Sequence, residues 1–273
     1  MTSPSLQFLL AIETATAWQS VALLQGERVL AIAEQDAGGS HARSLMGAID
    51  RVLRETSLGL KELQGLALSI GPGSFTGLRV GLATMLGFHA VLGTPVVPVP
   101  TLEAMVWNLR SVHGLLVPVL KSRHNEVYWA VYEWLPGPVL HTRIAEQVGP
   151  PSSVSQALQG TGSGTLFGNG WQAYEQEIRQ AIESIGGHVR ESPEQQRPSA
   201  VNVALAARLR IERGQLPEGN IVPLYVQRTE AEVKFDEQRG VSALERRRER
   251  VAKKMAQGRR RVNREGTDPR ARK

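Results

Sequence analysis

Three short apolar runs open the chain, Phe8 to Ile12, Ser20 to Leu24 and Val29 to Ala33, parted by polar turns at Glu13 to Thr16 and Gln25 to Glu27. Such spacing predicts a β-meander. A helix pattern follows from His41 to about Thr56. Leu45, Ile49, Val52 and Leu53 recur at helical spacing, Arg43, Asp50, Arg51 and Arg54 lie opposite, and Ser40 is placed to cap it. Gly65 to Ile70 reads as a buried strand, a helix then runs to about Leu92, and a strand at Pro95 to Val99 closes the first half. The second half repeats the plan without repeating residues. Thr101 can cap a helix through Arg110, and Leu115 to Leu120 and Val127 to Trp134 read as strands. The Pro- and Ser-rich stretch Gly149 to Gly164 reads as loop around a short helix at Ser153 to Leu158. Leu166 to Gly170 looks like a strand end, and helices are expected at Trp171 to Ile185 and Ala200 to Arg213.

Composition narrows what such a chain does. With 273 residues, 41% of them apolar, and 27 glycines, it has material for two packed domains. It contains no cysteine, which excludes disulfides, zinc–thiolate sites, iron–sulfur clusters and thiol nucleophiles. The N-terminus lacks the basic start and long apolar run of a signal peptide, and the best membrane candidate, Leu82 to Val99, is broken by His89, Pro95 and Pro98. A soluble, cytoplasmic protein with no membrane contact is expected. The net charge of +6 divides unevenly. Residues 239–273 hold 14 of the 32 Lys and Arg and 4 of the 26 Asp and Glu, leaving 18 basic and 22 acidic side chains elsewhere. Any attraction to nucleic acid by charge therefore belongs to the tail.

Gly71-Pro72-Gly73-Ser74 joins an apolar strand to a helix start. Backbone N–H groups there, unobstructed by side chains, would cradle a phosphate or an oligonucleotide backbone. The same residues serve equally as a tight turn. Nucleotide motifs of known mechanism do not fit. No lysine is near to complete a Walker loop, Thr76 stands where the dinucleotide fingerprint needs its third glycine, and Pro72 stands where a nucleophile elbow needs one.

As a whole string, GPGSFTGLRVG resembles the signature of the bacterial TsaB (YeaZ) family, through Gly71, Pro72, Gly73, Ser74, Phe75, Thr76 and Gly77. LAIETAT at Leu10 to Thr16 is similar to that family's opening strand and turn, SHARSLMGAIDRVL to its first helix, and RHNEVYWAVY at Arg123 to Tyr132 to its second-lobe hairpin. FGNGW near Gly168 and PLYVQR at Pro223 to Arg228 match more weakly, in the expected order. The resemblance implies a two-lobed α/β fold of the actin-like ATPase (ASKHA) type, mixed sheets flanked by helices. Its lobes would fall at 1–100 and 101–238, the last helix packing back on the first lobe, with a basic C-terminal tail at 239–273 outside the family pattern. It also implies a non-catalytic subunit that binds and stabilises TsaD. That subunit transfers threonylcarbamoyl to N6 of adenosine 37 in tRNAs reading ANN codons, and the ATPase TsaE joins the complex. tRNA is then met through the complex, and a homodimer is the pairing open to the partner-free chain. No cofactor is expected to bind autonomously, while the subunit interface leaves room for a nucleotide.

The residues agree with a non-catalytic reading. TsaD-like relatives hold a metal with a His-x-x-x-His pair on the first helix, but Leu45 stands four residues after His41. Lys121 occupies a position where related ATPases use an acid to serve a metal-nucleotide, and a lysine cannot hold Mg²⁺. Glu13 reads as a lone solvated carboxylate. No catalytic residue and no metal site are expected. The helix from Thr76 to Leu92 is apolar nearly all round, Arg79 being its only charged residue, so it must be covered on more than one side. Gly77, Gly81, Thr84 and Phe88 share one face, which suits either a helix fully internal to the chain or, the favoured reading, a subunit interface where small residues let another helix approach. With Leu45 and Ile49 of the first helix they form the expected partner interface. The tail clusters Arg246, Arg247, Arg248, Lys253, Lys254, Arg259, Arg260 and Arg261 suit phosphate contact, and the absence of aromatic residues argues against base readout. An actin-like ATPase or small-molecule kinase acting alone, and an RNA-binding module driven by the tail, are the competing functions.

Overall fold

The computed structural model describes residues 7–226 apart from 39, 138, 193–196 and 218; the tail clusters between Arg246 and Arg261 lie outside the described residues. The meander is present. β1 (Phe8–Glu13), β2 (Trp18–Gln25) and β3 (Arg28–Asp36) pair antiparallel, with Glu13 opposite Ser20 and Trp18 opposite Asp36. α1 (His41–Thr56) leads to β4 (Gly65–Ser69), parallel to β1, and α2 (Phe75–Leu92) leads to β5 (Val96–Val99), parallel to β4. Parallel neighbours need a crossover, which the two helices supply. The sheet order is β3-β2-β1-β4-β5.

After α3 (Thr101–Val106) the plan recurs. β6 (Leu115–Lys121), β7 (Val127–Leu135) and β8 (Val139–Gly149) form a second meander, β9 (Ser163–Phe167) pairs parallel to β6, and β10 (His188–Glu191) pairs parallel to β9. The order β8-β7-β6-β9-β10 repeats that of the first sheet. α4 (Asn169–Glu183) stands in the place of α2, and a 3₁₀ helix at Pro151–Leu158 in the place of α1. The result is two mixed sheets flanked by helices. Two strands escape the sequence pattern, β8 because it is a largely exposed edge without an apolar run, and β10 because it is four residues long.

Alternation along the strands sorts the core into layers. Leu10, Ile12, Val21, Leu23, Leu66 and Leu68 turn toward α1 and α2. On the opposite face Leu9, Ala11, Ala22, Leu24 and Val97 pack against α5 (Ala200–Glu212) through Ala200, Val203, Ala204 and Ala207. The last helix thus returns to the first sheet. α3 lies between the sheets, giving Ala104 to the first and Leu102, Met105 and Val106 to Leu116, Leu120, Tyr132 and Phe167 of the second. Arg210 of α5 binds it there, donating to Glu103 Oε2 at 2.6 Å and to the Pro98 carbonyl. Thr101 does not cap α3 as its sequence position suggests. Its side chain is fully buried and Oγ1 has no hydrogen-bond partner. Behind the second sheet, Ile178 and Ile182 of α4 pack on Val117, Val119, Val131 and Leu166.

Candidate functional site

The loop from Gly71 to Gly77 is a packing hub. Ser74 N donates to Ala15 O at 2.6 Å, and a Cβ on Gly73 would overlap that same carbonyl. On its other side Gly71 O accepts from Thr101 N, and Leu224 N, from the segment beyond α5, donates to Ile70 O, both at 2.7 Å. Gly71 has φ +115°, and a Cβ there would stand 2.7 Å from Leu224 O, so only glycine fits. Ser74 caps α2, its Oγ accepting from Gly77 N at 3.2 Å. His41 is buried at the start of α1, where Nε2 donates to Thr16 O at 2.8 Å. The Ser74 and Gly77 amides are thus engaged within the chain, and the loop forms a tight turn.

α2 has two unlike sides. Of its 18 residues only Gly77, Leu78, Gly81 and Met85 are buried. Phe75, Arg79, Ala83, Leu86, Gly87, Ala90 and Val91 are exposed, Val91 by 84%. This overturns the partner face expected from sequence. A Cβ on Gly81 would stand 2.5 Å from Thr14 Oγ1, and one on Gly77 would overlap Thr14 O, so both glycines admit the chain's own β1–β2 turn. Thr84 is half-buried and donates to Val80 O at 2.8 Å, and Phe88 is partly buried against the core beneath α1 and α2. Leu45 and Ile49 are each only 1% exposed.

The uncovered surface is the opposite one. Met46 and Gly47 of α1 are exposed, as are Ala83, Leu86, Gly87, Ala90 and Val91 of the adjacent α2. A Cβ on Gly47 or Gly87 would meet nothing within 4 Å. Among the described residues, packing therefore explains neither glycine, although each weakens its helix by about 1 kcal/mol relative to alanine. The sequence held a signal for this surface. Once Leu78 and Met85 are assigned to the sheet, Leu86 and Val91 are the side left over. By length and composition α2 could also cross a membrane, which the broken run at Leu82 to Val99 did not suggest.

Between the sheets a cleft of about 330 Å³ is lined by Thr16, Trp18, Asp36, Asn169, Gln172 and Arg197 among others. At its edge Lys121 N donates to Asn169 Oδ1 at 2.8 Å, and the lysine itself is exposed. Glu13 is not the solvated acid the sequence suggests. It is fully buried, with Oε1 accepting from Ala15 N at 2.5 Å and Oε2 without a hydrogen-bond partner. Burial pushes its pKa up to about 7, opposed by the neighbouring Ser69 hydroxyl and the Ala15 N–H. Among the described residues no three His, Asp or Glu side chains converge on a metal-sized site.

The family model for TsaD, described as tRNA N6-adenosine threonylcarbamoyltransferase, matches residues 31–235. The tRNA threonylcarbamoyladenosine biosynthesis protein TsaB of Haemophilus influenzae is 36% identical over 184 residues, covering 62% of this chain and 74% of that protein. The chain belongs to the TsaB (YeaZ) family. TsaB of Bacillus subtilis is 27% identical over 235 residues, 84% of this chain and 98% of its own length. Among solved structures, YeaZ from Pseudomonas aeruginosa aligns with a TM-score of 0.67 at 26% identity, over 80% of this chain and 99% of that one. The TsaB match thus extends from sequence to the arrangement of both sheets.

Proposed function

We propose that this chain serves tRNA threonylcarbamoyladenosine biosynthesis in the cytoplasm as a non-catalytic subunit, binding and stabilising a TsaD-like catalytic subunit. A TsaE-like ATPase completes the assembly, and tRNA is met through it. The observation that carries this reading is the uncovered side of α1 and α2, where Met46 of α1 and Leu86 and Val91 of α2 are exposed and a Cβ on Gly47 or Gly87 would meet nothing within 4 Å. Helix-interior glycines that no described residue packs against suit the close approach of another helix, toward the ~8 Å end of interaxial distances. Buried Glu13 and exposed Lys121 favour a subunit with no nucleotide turnover of its own. The tail, on its charge alone, adds phosphate contacts to tRNA.

Reconstitution tests the reading. The chain and the TsaD-like subunit from the same organism are expected to co-elute as a complex, and Leu86→Asp is expected to abolish it while the monomer stays folded. The isolated chain is expected to show no ATP turnover. Steady-state hydrolysis of ~1 s⁻¹ or faster that disappeared in Glu13→Ala would replace the scaffold reading with an enzymatic one.

A further inference from the structure

Arg79, the one Lys or Arg of α2, sits at the edge of this uncovered surface in an unusual setting. Its guanidinium carbon lies 3.7 Å from the centroid of the Phe75 ring and 5.9 Å from that of Tyr225. The two rings stand 5.3 Å apart, and Nε donates to the Tyr225 hydroxyl at 2.9 Å. Stacking fixes the plane of the guanidinium and the hydrogen bond fixes its rotation. Phe75 and Tyr225 are nevertheless 39% and 44% exposed, so the cluster stands at the surface. Arg79 makes no ion pair among the described residues. With Nε occupied, the two terminal nitrogens remain, a planar pair of donors matched to a carboxylate.

We propose that Arg79 is the anchor of the partner surface, and that it takes an Asp or Glu carboxylate of the partner subunit in a two-pronged hydrogen bond. This deepens the scaffold reading and rests on it. Charge complementarity chooses the occupant. A docked helix would cover Arg79 together with Leu86 and Ala83, and a covered guanidinium without a counter-charge would forfeit its hydration. Arginine and tyrosine are also among the side chains that most often dominate such contacts. Because Phe75 and Tyr225 already hold the guanidinium, less rotamer freedom remains to be lost on binding.

The test measures affinity of the full-length chain for the TsaD-like subunit by calorimetry, with Arg79→Met, Arg79→Lys, Tyr225→Phe and Leu86→Asp. Arg79→Met is expected to bind at least ~30-fold more weakly. Arg79→Lys should be nearly as weak, since a lysine keeps the charge but loses the planar pair of donors. Tyr225→Phe keeps the ring and frees the guanidinium, so a smaller loss is expected. If Leu86→Asp abolishes binding while Arg79→Met binds as wild type, the anchor proposal fails and the interface stands. If neither substitution weakens the complex, both fall together. Wild-type affinity in Arg79→Lys would overturn the two-pronged geometry. Unchanged subunit affinity in Arg79→Met with a loss of tRNA affinity would overturn the carboxylate and leave a phosphate as the ligand.

Discussion

Gly81 rests directly on Thr14: a side chain begun at Gly81 would start 2.5 Å from the Thr14 hydroxyl and 3.3 Å from the Ile12 methyl. The helix meets the end of β1 at this point, and no other residue allows so close an approach. Gly81→Leu is accordingly expected to destabilise the chain by roughly 1–3 kcal/mol through overpacking. A lowered melting temperature checks this. A melting temperature equal to or above wild type would mean that the glycine faces outward after all.

Gly87 makes the complementary case. Its missing Cβ points into open space, so Gly87→Ala should raise stability by roughly 0.5–1 kcal/mol through backbone entropy and helix propensity. Gly87→Trp should leave the monomer folded yet prevent co-elution with the TsaD-like subunit. Thermal melts of the two variants beside a co-elution assay separate helix stability from partner approach. A complex that tolerates the tryptophan would move the interface elsewhere.

Glu13 sets a pH dependence. Its pKa is raised from 4.5 to about 7 by burial, so the folded chain holds a proton that the unfolded chain releases. The sign follows. The stabilisation is fully present below about 4.5 and is lost as pH rises through 7, with a total of roughly 3 kcal/mol from a pKa change of this size. Glu13→Gln keeps an oxygen for the Ala15 N–H and adds a donor toward Ser69. Its melting temperature should exceed that of wild type at pH 8, and the two should converge near pH 4.5. Equal melting temperatures at pH 8 would show that the carboxyl ionises without penalty.

Much of this was legible in the residues, and the misses share a cause. The bounds of α1 and the meander follow from periodicity, whereas Ser40, placed to cap α1, makes no side-chain cap hydrogen bond, and the cap at Ser74 is found only in the structure. The signature loop is legible as a string, whereas its contacts with Ala15, Thr101 and Leu224 join segments far apart in the chain. The inward face of α2 is ambiguous in sequence because the helix is apolar or small nearly all round, Arg79 being its one Lys or Arg. What decides the matter is the Thr14 turn, 67 residues upstream of Gly81 and brought there only by the sheet. Glu13 failed for the same reason. Nothing local marks a carboxylate as enclosed when its lid comes from other strands and loops.

The return of α5 to the first sheet bears on how the chain is made. While the ribosome is still emitting the second meander, Leu9, Ala11, Ala22, Leu24 and Val97 wait with one side bare, because Val203, Ala204 and Ala207 have not yet emerged. The Gly71 loop waits longer still, for Leu224. A nascent chain in that condition exposes an apolar sheet face for most of its synthesis, a state prone to aggregation and slow to resolve because its contacts span such sequence distances. Cutting the gene between the two sheets would preserve that vulnerable intermediate instead of yielding an independent first lobe.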